Sequence, residues 1–145
     1  MMAGRDFIGV GVGALVFSQD GLVFLAKRGD AATNESGCWE FPGGRLEYGE
    51  KLLDAIKREF VEEYGLYIDV VELLGAFDHI LPEEGQHWVS ITFIARHISG
   101  IAKILEPAKC SAMGWFSLSA LPSPRTRITE DNLITYYAKY DGTAW

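Results

Sequence analysis

Cysteine is nearly absent from this chain. Cys38 and Cys110 are the only two, far apart and outside any metal-ligand spacing. They read as reduced thiols of a cytoplasmic protein, with a single disulfide as the alternative, and rule out a disulfide-dense scaffold. No apolar run approaches the length of a membrane span, and the N-terminus lacks a signal-peptide pattern, so no membrane association is expected. Basic residues are in deficit: the formal net charge is −7. That argues against a nucleic-acid polymer as partner, which calls for a basic surface. It leaves room for a small phosphorylated ligand, because a bound cation reverses the sign locally. Internal repeats, low-complexity segments and domain-separating linkers are also missing. With 145 residues, 48% of them hydrophobic, one globular domain over residues 1–145 is expected.

What is present is concentrated between Trp39 and Leu66, WEFPGGRLEYGEKLLDAIKREFVEEYGL. Pro42-Gly43-Gly44 ends a short apolar run, and a polar loop leads to Glu50. Lys51 to Tyr64 reads as a helix, with apolar side chains at Leu53, Ile56, Phe60 and Tyr64 forming one stripe. Gly65 stands where a left-handed C-cap belongs. Beside the stripe, Glu59, Glu62 and Glu63 crowd one patch, since residues three and four apart are helix neighbours. Like charges so close call for a positive occupant, and a hard divalent cation with oxygen ligands suits them. Arg58 lies about 100° of helix turn away from Glu59. Glu50, at the helix start, is favoured by the helix dipole and is given a structural role first. Glycines at 43 and 44 let the loop backbone approach a metal or phosphate closely.

The remaining chain reads as strands and one further helix. Phe7–Phe17 is a strand whose glycine face, Gly9, Gly11 and Gly13, is approached either by a ligand or by a neighbouring backbone. Asp20-Gly21 turns it into a returning strand, Leu22–Arg28, followed by a polar loop, Gly29–Gly37. Tyr67–Ile80 is at least one long or bent strand, Leu81–Gln86 a loop and His87–His97 its antiparallel partner. The loop from Ser99 to about Met113 has room for a short strand at Ile101–Leu105. Trp115–Ser117 is a short strand, and Ser117–Leu121 one helical turn stopped by Pro122. Thr129 is the expected N-cap of a final helix reaching about Tyr140, with Leu133, Ile134 and Tyr137 as its apolar face. The order is α+β.

From Gly44 through Glu50, Arg58, Glu59, Phe60, Glu62, Glu63 and Gly65 to Leu66, every fixed position matches a known signature. The stretch resembles the Nudix box of the Nudix hydrolases. WEFPGG before it, and the Trp115 strand with its Leu-Pro turn after it, resemble the MutT-type nucleoside triphosphate pyrophosphohydrolases. The likeness runs from roughly Ile8 to Leu121, and only the box is highly specific.

The resemblance implies a Nudix fold, a mixed β-sheet sandwiched between α-helices, and a single Nudix hydrolase domain. It also implies an enzyme that cleaves a nucleoside or deoxynucleoside triphosphate, with a normal or altered base, to monophosphate and pyrophosphate. The alternatives are an ADP-ribose or other nucleoside diphosphate-X pyrophosphatase, and a non-catalytic nucleotide-binding domain. By the same likeness Glu59, Glu62, Glu63 and the carbonyl of Gly43 hold Mg²⁺, with Mn²⁺ as a substitute. Glu59 is first choice and Glu62 second for the general base, while Arg58 holds a ligand glutamate in place. Arg28 touches substrate phosphates and Gly44 lines the loop around them; Asn132 reads the base or serves as an ordinary helix-start residue, and Phe41 and Trp39 flank the base or pack in the core. Glu106 is a candidate loop carboxylate, although Ser111 stands where some relatives carry an acid. Pro82, at a spacing that resembles ADP-ribose-cleaving members, points the other way. A small nucleotide is the expected partner, and a homodimer is allowed for.

Overall fold

The computed structural model describes residues 1–145. Its strands are β1 (Gly9–Phe17), β2 (Val23–Arg28), β3 (Trp39–Glu40), β4 (Gly43–Arg45), β5 (Tyr67–Leu81), β6 (Gln86–Ser99) and β7 (Cys110–Phe116). The helices are α1 (Leu52–Tyr64) and α2 (Arg127–Tyr140), with a 3₁₀ turn at Pro82–Glu84. All seven strands form one mixed sheet. Its spine runs β3-β2-β1-β6-β5, while β4 pairs with β1 and β7 with β2. β1 lies parallel to β6 along its whole length, and the other pairings are antiparallel.

Alternation along the central strands builds two cores, one on each face. Val12, Ala14, Val16, Phe24, Ala26, Phe93 and Ala95 point to the α1 side, where Ala55, Ile56, Phe60 and Tyr64 close over them. Leu15, Phe17, Val23, Leu25 and Ile94 point to the other side and meet Leu133 and Tyr136 of α2. Buried on both faces, β1 and β2 therefore read as nearly continuous apolar runs.

Several expectations are corrected. Leu53 is 47% exposed, so the buried stripe of α1 is Ala55, Ile56, Phe60 and Tyr64. Its first turn overhangs the sheet. The N-cap of α2 is Thr126, whose hydroxyl accepts from the Thr129 N–H; Thr129 itself is buried and receives the Phe41 N–H. Consequently Thr129, Asn132, Leu133 and Tyr136 form the buried face of α2, while Ile134 and Tyr137 are exposed. A polar inward face is tolerated because its groups find partners, Thr92 donating to the Asn132 carboxamide oxygen at 3.0 Å among them. Residues 101–105 form no strand; the Lys103 and Leu105 N–H groups instead satisfy the Tyr64 and Glu63 carbonyls at the end of α1. β7 begins at Cys110, five residues before Trp115, and Ser117–Leu121 is a turn without a helix. The loop after β5 is shorter than expected, because β6 already starts at Gln86.

Other expectations hold. Gly65 is left-handed at φ 68°, its N–H bonds the Val61 carbonyl and Leu66 N–H bonds that of Phe60, so α1 ends in a tight reversal. The long strand after the box is bent by register shifts between Val70 and Glu72 and between Leu73 and Gly75. What approaches β1 at Gly11 and Gly13 is neighbouring backbone: β4 pairs there, placing Gly44 opposite Val12 and Gly43 opposite Gly13. At Gly9 it is the Trp88 ring. Both cysteines are free, and no helix is long and apolar enough to cross a membrane.

Candidate active site

α1 presents its acidic face at the edge of the α1-side core, beside β4. A Cβ added to Gly44 would overlap the Glu59 carboxylate, and one added to Gly43 would overlap the Val12 carbonyl. Glycine is therefore required at 43 to let β4 pair with β1, and at 44 a side chain would displace the Glu59 carboxylate from its place on the backbone.

Arg58 is the cation at the centre of this face. Its Nε donates to Glu50 Oε2 at 2.5 Å and its Nη2 to Glu50 Oε1 at 2.9 Å. Nη1 donates to Glu59 Oε1 at 2.9 Å and to Glu62 Oε2 at 3.1 Å. One planar fork thus ties the start of the helix to two of the three box carboxylates. The hydrogen bonds from Arg58 hold the Glu50 carboxyl below its usual range. They also raise Arg58 further, Glu50 contributing most.

Glu63 has no such partner. Burial pushes its carboxyl up to about 8, and the charges of Glu59, Glu40 and Glu106 add to the rise, with Lys109 opposing them. Glu59 is raised as well, first by burial, against the Arg58 charge. Crowding of like charges is therefore real, but removal from water is the larger cause at Glu63.

The sequence did not single out Glu40 or Lys109. Glu40 lies between Trp39 and Phe41, so strict alternation puts it on the opposite face from them; only the fold says that this is the Glu63 side. It pairs with Arg28 at 3.1 Å, and burial raises its carboxyl while Arg28 lowers it. Lys109 pairs with Glu106 at 3.3 Å and faces both Glu59 and Glu63. No sequence signal marked it, because the loop before β7 has no period.

The expected substrate residues fall in different places. Arg28 is held by Glu40 and, through Nε, by the Asn34 carbonyl at 2.9 Å. Phe41 is 5% exposed within the α2-side core, so its ring is packing and not an open platform. Trp39 is more open and meets Phe116 edge-on. Asn132 is buried on α2, and its carboxamide oxygen is occupied by Thr92. Pro82 opens the 3₁₀ turn at the tip of the β5–β6 hairpin, a position that suits proline without any ligand.

A divalent cation fits the donor chemistry: the carboxylates of Glu59, Glu40 and Glu106 lie near Glu63 and raise it, with Lys109 as the opposing cation. As the side chains stand, no three acidic, His or Cys groups converge into a finished metal cage. Arg58 draws Glu59 and Glu62 towards Glu50.

The raised carboxyls predict a stability profile for the metal-free protein. The folded-state values of Glu63 and Glu59 lie above the 4.5 of an unfolded carboxyl. Their contribution is full below that value and is lost as pH rises through about 8 for Glu63. Glu35 and Glu50 are lowered and act in the opposite sense, losing stability as pH falls below 4.5. In a chelator, stability should peak in mild acid and fall by roughly 1–3 kcal/mol towards pH 8, discounted for solvent relaxation, or about 2–4 °C per kcal/mol. Mg²⁺ should stabilise more at pH 8 than at pH 5. Melting curves at several pH values check this; a metal-free Tm that climbs steadily to pH 8 contradicts it.

A mixed sheet between two helices, with a glycine-capped acidic helix locked to a Gly-Gly loop by one arginine, defines the class. Residues 8–137 match the NUDIX domain, and the chain belongs to the Nudix family. It is 33% identical over 129 residues to human 8-oxo-dGDP phosphatase NUDT18, covering 88% of this chain and 38% of that protein. It is 35% identical over 125 residues to the ADP-ribose pyrophosphatase of Methanocaldococcus jannaschii, covering 86% of this chain and 70% of that one. Among solved structures, a MutT NUDIX hydrolase from Burkholderia pseudomallei superposes with a TM-score of 0.82 at 37% identity, covering 90% of this chain and 98% of that one. The chain spans 31%, 38% and 39% of the mouse, human and zebrafish NUDT18 proteins it matches.

Proposed function

We propose that this protein is a divalent-metal-dependent pyrophosphohydrolase that cleaves a nucleoside or deoxynucleoside triphosphate, with a normal or altered base, to monophosphate and pyrophosphate. The observation that carries the hydrolase reading is the Arg58 fork joining Glu50, Glu59 and Glu62 beside an unpaired, raised Glu63. A decayed, purely nucleotide-binding domain has no reason to keep so repulsive a set.

Glu59, Glu62 and Glu63, with the Gly43 carbonyl, are the residues that would hold Mg²⁺, with Mn²⁺ as substitute. The bound cation supplies neutralisation of phosphate charge and a more acidic water. Hydrolysing a polyphosphate is mainly a matter of placing water in line and offsetting charge. Glu59, seated on Gly44 and raised by burial, is placed to take the proton from the attacking water, with Glu62 as second choice. Arg58 keeps Glu59 oriented and is a positioning residue. Arg28 and the Gly44 backbone contact phosphates. Asn132, whose carboxamide oxygen is held by Thr92 and whose amide nitrogen makes no protein hydrogen bond, reads the base, and Phe41 serves as packing in the α2-side core.

Two readings of the substrate compete. Structural likeness to a MutT hydrolase and the self-sufficient turn position of Pro82 favour triphosphates. The relatives named for 8-oxo-dGDP and ADP-ribose favour diphosphates, and an altered purine diphosphate or ADP-ribose is the runner-up. Incubation with a panel of triphosphates, 8-oxo-dGTP, 8-oxo-dGDP and ADP-ribose in Mg²⁺, with products separated, decides between them. Pyrophosphate released from a triphosphate at the highest kcat/KM is the expected result. Orthophosphate from 8-oxo-dGDP, or AMP from ADP-ribose, at much higher kcat/KM hands the site to the runner-up. A localisation in the cytoplasm accompanies the proposal and rests on the sequence alone.

A further inference from the structure

The loop from Gly29 to Gly37 is held by a polar network that none of the box chemistry requires. Glu35 adopts a left-handed backbone at φ 46°, which disfavours any residue with a Cβ. Its carboxylate reaches two distant elements. Oε1 lies 3.1 Å from His79 Nε2 on β5, and Oε2 accepts the Arg127 N–H at the start of α2 at 2.8 Å. The preceding residue, Asn34, is tied in turn: its side chain donates to Gln86 Oε1 at 2.9 Å, and its carbonyl accepts from Arg28 Nε at 2.9 Å. Gln86 is buried, and its own amide donates to the Thr33 carbonyl at 3.0 Å.

Capping alone does not explain Glu35. Thr126 caps the Thr129 N–H and Glu35 takes a further free N–H of the first turn, that of Arg127, while its other carboxylate oxygen faces His79. Glu35 anchors the residue next to Asn34, whose side chain Gln86 also holds, and the Asn34 carbonyl is the acceptor for Arg28 Nε. Glu40 holds Nη1 from the other side, at 3.1 and 3.3 Å. Two of the three guanidinium nitrogens are thus fixed, and Nη2 makes no protein hydrogen bond.

We propose that Glu35 is a positioning residue for Arg28: anchored to β5 and to the N-terminus of α2, it sets the Asn34 carbonyl so that Arg28 presents its free Nη2 to a substrate phosphate. This rests on the reading of Arg28 as a phosphate contact. An arginine ordered before binding loses less side-chain freedom on binding, so the effect belongs in KM.

The test is a double-mutant cycle on the full chain, Glu35→Ala, Arg28→Ala and both, assayed on the best-cleaved nucleotide of the panel in Mg²⁺, with Glu35→Gln as the conservative variant. Glu35→Ala should raise KM about 5–20-fold with kcat within about twofold. Hydrogen exchange should speed up in residues 29–37 and stay unchanged in α1. Glu35→Gln, still able to accept the Arg127 N–H, should recover part of the KM. The double variant should be no worse than Arg28→Ala, because the two residues act through one contact. Additive KM effects, or an unmoved KM in Glu35→Ala alongside a raised one in Arg28→Ala, overturn the proposal and leave the reading of Arg28 intact. An unmoved KM in Arg28→Ala removes the phosphate contact itself and this role of Glu35 with it. Should Glu35→Ala fold poorly by circular dichroism, Glu35→Ser, too short to reach Arg127 or His79, takes its place in the cycle and is read by the same outcomes.

Discussion

Replacing Glu63 with glutamine should lower kcat by about 10²–10³-fold in saturating Mg²⁺ while raising the melting temperature of the metal-free protein. The two effects have one cause. Glu63 is a part-buried carboxyl with no cation bonded to it, pushed up to about 8 by its removal from water and by Glu59, Glu40 and Glu106, with Lys109 opposing. Glutamine keeps the shape and removes the ionisation, so the metal-free fold is relieved at neutral and alkaline pH. The same exchange takes a charged oxygen ligand from the proposed metal site, and each ~1.4 kcal/mol of lost transition-state stabilisation is tenfold in rate. Turnover with Mg²⁺ and melting in a chelator are the two measurements. Near-normal turnover, or a metal-free Tm below that of the parent at pH 8, would remove Glu63 from the site.

Arg58→Ala should be costly in both activity and stability. The side chain meets Glu50, Glu59 and Glu62 at once and also reaches the Arg45 carbonyl at 3.4 Å. Without it, Glu50 loses its partner and Glu59 loses the only cation bonded to it. Breaking such a part-buried network should cost about 1–3 kcal/mol, between the exposed and fully buried limits. Loss of the group that orients a metal-ligand side chain typically costs a further 10–100-fold in affinity or rate. Arg58→Lys keeps the charge and loses the fork, so most of the kinetic deficit should persist. A plain surface ion pair would behave otherwise: less than ~1 kcal/mol of stability and an unchanged kcat. Kinetics across a Mg²⁺ titration, with urea unfolding of the three proteins, separates the two accounts.

Legibility in the sequence followed the length scale of the cause. The α1 acids, the Gly65 cap and the Asp20-Gly21 reversal are set by neighbours three or four residues away, and each was readable. The strands were readable as runs, but their ends were not. β7 begins at Cys110 because β2 offers a partner there, and pairing with a distant strand leaves no local mark. The face of α2 was misassigned for a related reason. Ile134 and Tyr137 look like a core stripe, yet Thr129 and Asn132 face the sheet, because Phe41 and Thr92 supply hydrogen bonds that no window along the helix contains.

By itself, the sequence determined that one helix carries three crowded acids beside an arginine and a Gly-Gly loop. That depends on helical periodicity and on backbone sterics, which act within a few residues. It also marked Phe7–Phe17 and Leu22–Arg28 as the two strands of a hairpin. Only the tertiary structure decided what surrounds the acids. It brings Glu40 from β3 and Glu106 and Lys109 from a loop beside Glu63, and it binds Arg28 between Glu40 and Asn34. Glu40, Glu63 and Glu106 lie tens of positions apart along the chain. Burial and electrostatic coupling depend on distance in space, and only the folded sheet makes those distances short.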